Sequence, residues 1–144
     1  MTIKHKILLN YIKDLSVETP DPESLIAARE NFSKYSLKLD LNSKILKNKM
    51  IEVYTKLTYE DKINKKKTYF EMTYATVVRI EEEKPDPEEL KKFILCDLQI
   101  QIHPQIQKTF VEILKLSGFP DIQLKSNIDF NKLYNEKKIK RNFF

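Results

Sequence analysis

Glycine is almost absent from this chain of 144 residues: the one glycine is Gly118. A loop that cradles phosphates needs several, so the common nucleotide-binding motifs are excluded. Cysteine is just as scarce. Cys96 stands alone, which rules out an internal disulfide framework and leaves a Cys/His metal site short of ligands. Tryptophan is missing. The two histidines, His5 and His103, have no Cys, Ser or Asp partner at a recognisable nucleophile spacing. The acidic residues show no calcium-loop spacing. No apolar run approaches the ~18 residues that cross a bilayer. The segment Met1 to Leu9 begins like a basic signal sequence, but its apolar run is short and no small-residue cleavage site follows. These absences exclude the common nucleotide loops and Cys/His metal motifs, while a site built of Asp and Glu alone stays open, and the cytoplasm is the default location.

Charge and alternating apolar residues are abundant. Charged residues make up 33% of the chain, above the usual quarter or so, and indicate a heavily solvated surface. The net charge is +5, but Asp and Glu still number 21, so the balance is mixed rather than polycationic. The length suits one domain with a real core.

The first two-thirds follow a period of two. A strand is expected from about Lys6 to Thr19, ending at Thr19-Pro20-Asp21-Pro22. Tyr35, Leu37, Leu39 and Leu41 share one face of a second strand, with Ser36, Lys38, Asp40 and Asn42 on the other. Ile51, Val53, Thr55, Leu57 and Tyr59 repeat the pattern, and Thr68 to Ile80 reads as a long fourth strand. Hairpin connections are expected at 42–49 and 60–67. The stretch from Pro22 to Ser33 could form a helical turn or two.

After Ile80 the pattern becomes helical. Asp86 is an expected N-cap with Pro87 in the first turn, and Leu90, Phe93, Ile94 and Leu98 form an apolar stripe. His103 precedes Pro104, so a break is expected there, with a second helix running from Pro104 to Gly118. Gly118 can close that helix in the left-handed region, and Pro120 blocks its continuation. A last short helix follows an Asp129 cap. The fold class is therefore α+β: a four-stranded antiparallel sheet followed by helices packed on one face. One domain spans 1–136, and a basic tail, 137–144, is expected to be mobile.

Two groups of residues suggest binding. The lysines of 62–67 and 137–141, near Tyr69, Phe70 and Tyr74, could hold single-stranded nucleic acid. The plainer reading is that they solubilise a hairpin tip and blunt an edge. Apolar residues outside the regular elements, among them Leu25, Ile26, Phe32, Phe119, Ile122, Leu124 and Ile128, either pack on their own core or wall a groove for extended peptide.

Three motifs, in order, carry a resemblance. The run Ile12-Lys13-Asp14-Leu15-Ser16-Val17-Glu18-Thr19-Pro20 resembles the first strand of the SecB export chaperones. His103-Pro104 opening an apolar helix is similar, and so is Gly118-Phe119-Pro120 leading to Ile128-Asp129-Phe130-Asn131-Lys132-Leu133-Tyr134. The chain differs from the family pattern in its basic balance and tail. It also has Ala75-Thr76 where a glycine pair is usual, and lacks a second proline and aromatic in 104–117.

The resemblance implies a non-enzymatic homotetramer (a dimer of dimers), without cofactor or metal, that holds unfolded preproteins and passes them to the SecA translocation motor. Asp14, Glu18 and Glu71 fall on the acidic positions that meet SecA. Phe32, Tyr35, Leu37, Phe119, Ile122, Leu124, Phe130 and Tyr134 would wall the client groove. Ile106, Phe110, Ile113 and Leu114 would face another subunit, with Ile7 and Leu9 at the dimer seam. A SecB-like chaperone dedicated to one client, such as an antitoxin, remains an alternative.

Overall fold

A computed structural model describes residues 3–30, 35–61, 68–119, 129–135 and 140–142. The alternating segments are strands: β1 (His5–Glu18), β2 (Tyr35–Ile45), β3 (Met50–Asp61) and β4 (Tyr69–Ile80). β1 pairs with β4, β4 with β3 and β3 with β2, all antiparallel. The connection before β2 includes a helix, α1 (Pro22–Glu30), capped by Asp21, whose Oδ1 accepts from the Ser24 N–H at 2.7 Å. The β2–β3 turn is shorter than expected, because β2 continues to Ile45. Asn48 and Lys49 both take φ near +59°, the left-handed pair that suits the twist of a tight hairpin. The lysine-rich 62–67 connection lies outside the described residues.

Part of the basic tail departs from expectation. Lys140–Asn142 form a three-residue strand, β5, paired in parallel with Asp40–Asn42. The strand order is therefore β1-β4-β3-β2-β5.

The helices also differ from the two expected. α2 (Pro87–Lys92) starts at the Asp86 cap, where Oδ2 accepts from the Glu89 N–H at 3.3 Å. A π-helical turn, Phe93–Asp97, follows. α3 then runs unbroken over Leu98–Leu116 with Pro104 inside it. The proline removes one backbone bond and costs about 3 kcal/mol. Leu98, Ile102, Ile106, Phe110 and Leu114, spaced by four, are all buried on the sheet. Each contributes about 1.5–3 kcal/mol, so their burial outweighs the proline. The local rule at His103-Pro104 loses to this stripe.

The core lies between α3 and the inner faces of β3 and β4. It is built from Ile51, Val53, Leu57, Phe70, Met72 and Val78 against the α3 stripe and Phe93. In its middle, Gln99 Nε2 donates to Thr55 Oγ1 at 3.2 Å, so two fully buried polar side chains satisfy each other. The π-helical turn presents four buried residues in a row. Phe93 and Ile94 join the main core, while Leu95 and Cys96 join a second cluster with Leu41 and Phe130. Phe130 opens α4 (Phe130–Asn135), capped by Asp129, whose Oδ1 accepts from the Lys132 N–H at 3.0 Å.

Gly118 closes α3 as expected, with φ of +99°. The Phe119 N–H donates to the Leu114 carbonyl at 3.1 Å and the Gly118 N–H to that of Lys115 at 3.2 Å. This is the paired closure that a left-handed residue permits. A Cβ at Gly118 would stand 3.0 Å from Leu25 Cδ2 of α1. Gly118→Ala is expected to destabilise the protein by about 1–2 kcal/mol through the backbone alone. The shift in urea midpoint measures it, and Leu25→Ala should relieve only the contact part.

His103 packs edge-on to Phe130, with ring centroids 5.3 Å apart, and its Nδ1 has no hydrogen-bond partner among the described residues. Burial pushes its pKa below the ordinary 6.5. A depressed pKa stabilises the fold fully above that ordinary value, and the contribution is lost as pH falls through the lower folded value. The urea midpoint of the wild type should therefore fall more between pH 7.5 and pH 5.5 than that of His103→Gln (pH values about one unit either side of the ordinary His pKa). Equal slopes would remove His103 as the source.

Candidate functional site

The sheet has two unlike faces. The inner face carries the core. The outer face is polar and cross-linked: Lys38 bridges Glu60 at 2.9 Å, Lys56 bridges Glu71 at 3.2 Å, and Lys13 lies 3.9 Å from Glu52. Lys13 also sits 4.1 Å above the Tyr54 ring, and the hydroxyls of Tyr11 and Tyr54 both donate to Glu52. Burial alone would raise the pKa of Glu52. The two tyrosine hydrogen bonds and the charges of Lys13 and Lys44 outweigh it and hold the carboxyl below its ordinary value. A shallow depression of about 320 Å³ is lined by Lys13, Asp40, Leu41, Asn42, Tyr54, Lys56 and Thr73.

The acidic residues singled out in the sequence meet on this outer face. Ser16 lies directly opposite Glu71, with Asp14 and Glu18 one step to either side, opposite Thr73 and Tyr69. A bulge between Ile12 and Asp14 resets the alternation just before this trio, so the three β1 residues keep one face. Asp14 and Glu18 are exposed and Glu71 is half-buried. Tyr69 donates to Glu71. Burial, that hydrogen bond and the charges of Glu71, Glu60 and Glu18 push the Tyr69 pKa up to about 12. The Tyr69 hydrogen bond leads the causes that hold Glu71 below its ordinary value, with Lys56 assisting against burial. Glu60 and Tyr69 therefore belong to the same cluster, a grouping that the sequence does not display. Their positions at the strand ends gave no signal until β3 and β4 were aligned.

The apolar candidates separate into two groups. Leu37 is half-buried against the core on the inner face of β2, and Tyr134 is half-buried against the α4 cluster. Phe119 and Phe130 point inward. Phe119 is 3% exposed and meets Phe70 edge-on at 4.7 Å, and Phe130 is 2% exposed beneath Leu41. They are packed into the two core clusters rather than offering open surface. Phe32, Ile122 and Leu124 lie outside the described residues, and only the backbone of Tyr35 is described.

The expected subunit-facing stripe is largely consumed within the chain. Ile106, Phe110 and Leu114 are buried in its own core, where Phe110 meets Tyr59 edge-on at 6.3 Å, and Ile113 packs at the margin. The reason is spacing: residues four apart make a ridge that α3 presses on its own sheet. Ile7 is half-buried, while Leu9 is 53% exposed. Leu9, Ile12 and Leu15 on the edge strand β1, with Ile100 on α3, are large apolar side chains left open. His5 is structural: Nδ1 lies 2.8 Å from the Ile3 carbonyl and Nε2 lies 3.0 Å from Gln101 Oε1, tying β1 to α3. Among the described residues no group of acidic, His and Cys side chains could hold a metal, and no helix is long and apolar enough to cross a membrane.

Comparison with known proteins agrees with this architecture. The family model described as preprotein translocase subunit SecB matches residues 2–141. A putative protein-export protein SecB of Pelagibacter ubique (strain HTCC1062) is 43% identical over 138 residues, covering 95% of this chain and 99% of the relative. A protein-export protein SecB of Rickettsia bellii (strain OSU 85-389) is 30% identical over 129 residues, covering 88% of this chain and 83% of its own length. Among solved structures, the Mycobacterium tuberculosis Rv1957 SecB-like chaperone, in complex with a ChAD peptide from the HigA1 antitoxin, superposes with a TM-score of 0.67. That match covers 86% of this chain and 88% of the other at 12% identity, and so speaks to the fold. A family match over nearly its whole length and a relative 43% identical over 95% of the chain place it in the SecB family of export chaperones.

Proposed function

We propose that the protein is a non-enzymatic cytoplasmic holdase that keeps unfolded preproteins export-competent and delivers them to SecA. One observation favours client binding at the β2 side of the molecule. There Leu37 and Leu39 stay half-buried on β2, the long strand farthest from β1, and Leu39 packs on the same cluster as Tyr134. Extended chain held by apolar contact and main-chain hydrogen bonds needs such an edge and no fixed pocket. Tyr35, Leu37 and Tyr134, with Phe32, Ile122 and Leu124, are proposed as client contacts, and the buried Phe119 and Phe130 as supports beneath them. A dedicated client is the second reading, because the structural neighbour was solved with an antitoxin peptide. A reduced, carboxymethylated polypeptide should bind, its native form should not, and a single-stranded oligonucleotide should not. Tight oligonucleotide binding that falls steeply with salt, without client binding, would overturn this reading.

Assembly as a homotetramer is proposed from the open β1 edge. Among the described residues β1 (14 residues) pairs with β4 alone, and Leu9, Ile12 and Leu15 stand exposed along it. Soluble proteins cover such an edge.

Asp14, Glu18 and Glu71 are proposed to receive a basic segment of SecA. Charges at the rim of an interface act on association rate and salt dependence more than on the fold. Asp14→Lys with Glu18→Lys should weaken SecA binding about tenfold at low salt, a typical reach for electrostatic steering. Light scattering should give four chains for wild type and variant alike, with unchanged client affinity. Undiminished SecA binding places the site elsewhere. A dissociated variant makes these residues structural.

A further inference from the structure

We infer that the protein's own C-terminal strand is a displaceable plug on the edge of the sheet where client chain would pair. The inference rests on the holdase reading. Lys140, Arg141 and Asn142 lie opposite Asp40, Leu41 and Asn42 in parallel register, so the tail adds a strand to an edge that would otherwise end the sheet. The tail thus presents to β2 what an unfolded client presents: a short extended backbone offering N–H and C=O groups.

Two features make the plug removable. It is three residues long against the eleven of β2, near the lower limit for a strand. Its pairing is parallel, the weaker of the two ladder types. The rest of the described β2 edge has no neighbouring strand, so a longer extended chain can start beside β5 and replace it along β2.

A third feature keeps the plug close when it leaves. Leu41, whose backbone pairs with Arg141, sends its side chain into the cluster of Leu95, Cys96 and Phe130. Phe130 holds the start of α4 there, with its carbonyl 3.6 Å from Cys96 Sγ and its ring on His103. α4 ends at Asn135, five positions before β5 begins. The strand can therefore detach while its anchor stays docked, and it remains at high local concentration to rebind. An edge closed part of the time lowers the apparent affinity for client and discourages edge-to-edge association between empty molecules.

The test measures binding of a fluorescently labelled, reduced and carboxymethylated polypeptide to four full-length forms: the wild type, a proline pair, a glutamine pair and a cross-linked form. Lys140→Pro with Arg141→Pro removes whichever of the two N–H groups faces β2, since consecutive strand residues face opposite sides, and should tighten binding about threefold to tenfold, the closed-state factor that is lifted. Lys140→Gln with Arg141→Gln removes the same charges but keeps the donors, and should bind like the wild type. Asn42→Cys with Asn142→Cys joins directly paired strand positions at a separation a disulfide spans. Oxidised, it should bind about tenfold more weakly than the wild type, and reductant should restore it, as expected when the competent state is removed. A glutamine pair that matches the proline pair would mean charge, not strand exchange, and would overturn the plug. Equal affinity in all four forms would overturn the plug and leave the holdase standing. Binding in none of them would overturn both.

Discussion

Leu98, Ile102, Ile106, Phe110 and Leu114 hold α3 along the inner faces of β3 and β4, and most other features follow from that contact. It keeps the helix whole across Pro104. It commits one sheet face to the core and leaves the other to carry charge. It also fixes where the chain emerges at Gly118. The Gln99–Thr55 hydrogen bond adds a condition on register. Sliding the helix by one residue would separate two buried polar groups, and an unmatched buried amide is costly. Apolar burial supplies the stability, and this polar pair narrows the number of ways to achieve it.

The π-helical turn at Phe93–Asp97 connects that core to the rest of the molecule. A regular helix shows one apolar stripe to one surface. Four consecutive buried residues need a wider turn, and here two side chains go to the main core and two to the cluster under α4. Such wide turns are frequent at functional sites. In this chain the turn lets one helical run support both the sheet and the small helix next to the β2 edge.

The outer face follows a different logic. Its carboxylates are mostly engaged: Glu52 by two tyrosines and a lysine, Glu60 by Lys38, and Glu71 by Tyr69 and Lys56. Exposed ion pairs of this kind add little stability singly. Together they hold the side chains in place across the strands. Asp14 and Glu18 lie exposed beside that framework. A net charge of +5 therefore coexists with a locally acidic surface, because sheet register rather than composition decides which charges are neighbours.

The sequence by itself determined the four long strands, the alternation of β2 and β3, the Asp86 and Asp129 caps, and the stop at Gly118. Each rests on chemistry within a few residues: period-two alternation, a side-chain oxygen near free N–H groups, or a glycine able to take positive φ. The motif order was also enough to indicate the family. Tertiary structure decided the rest. Pro104 stayed inside a helix because burial along nineteen residues outweighed one missing hydrogen bond. The α3 stripe turned to its own sheet instead of a neighbouring subunit, and Phe119 and Phe130 became anchors, because apolar spacing does not say which surface will cover it. Glu60 joined Glu71 and Tyr69, and Lys140–Asn142 joined β2, through pairings between distant parts of the chain. Such contacts depend on strand order and register, and no local pattern encodes either one.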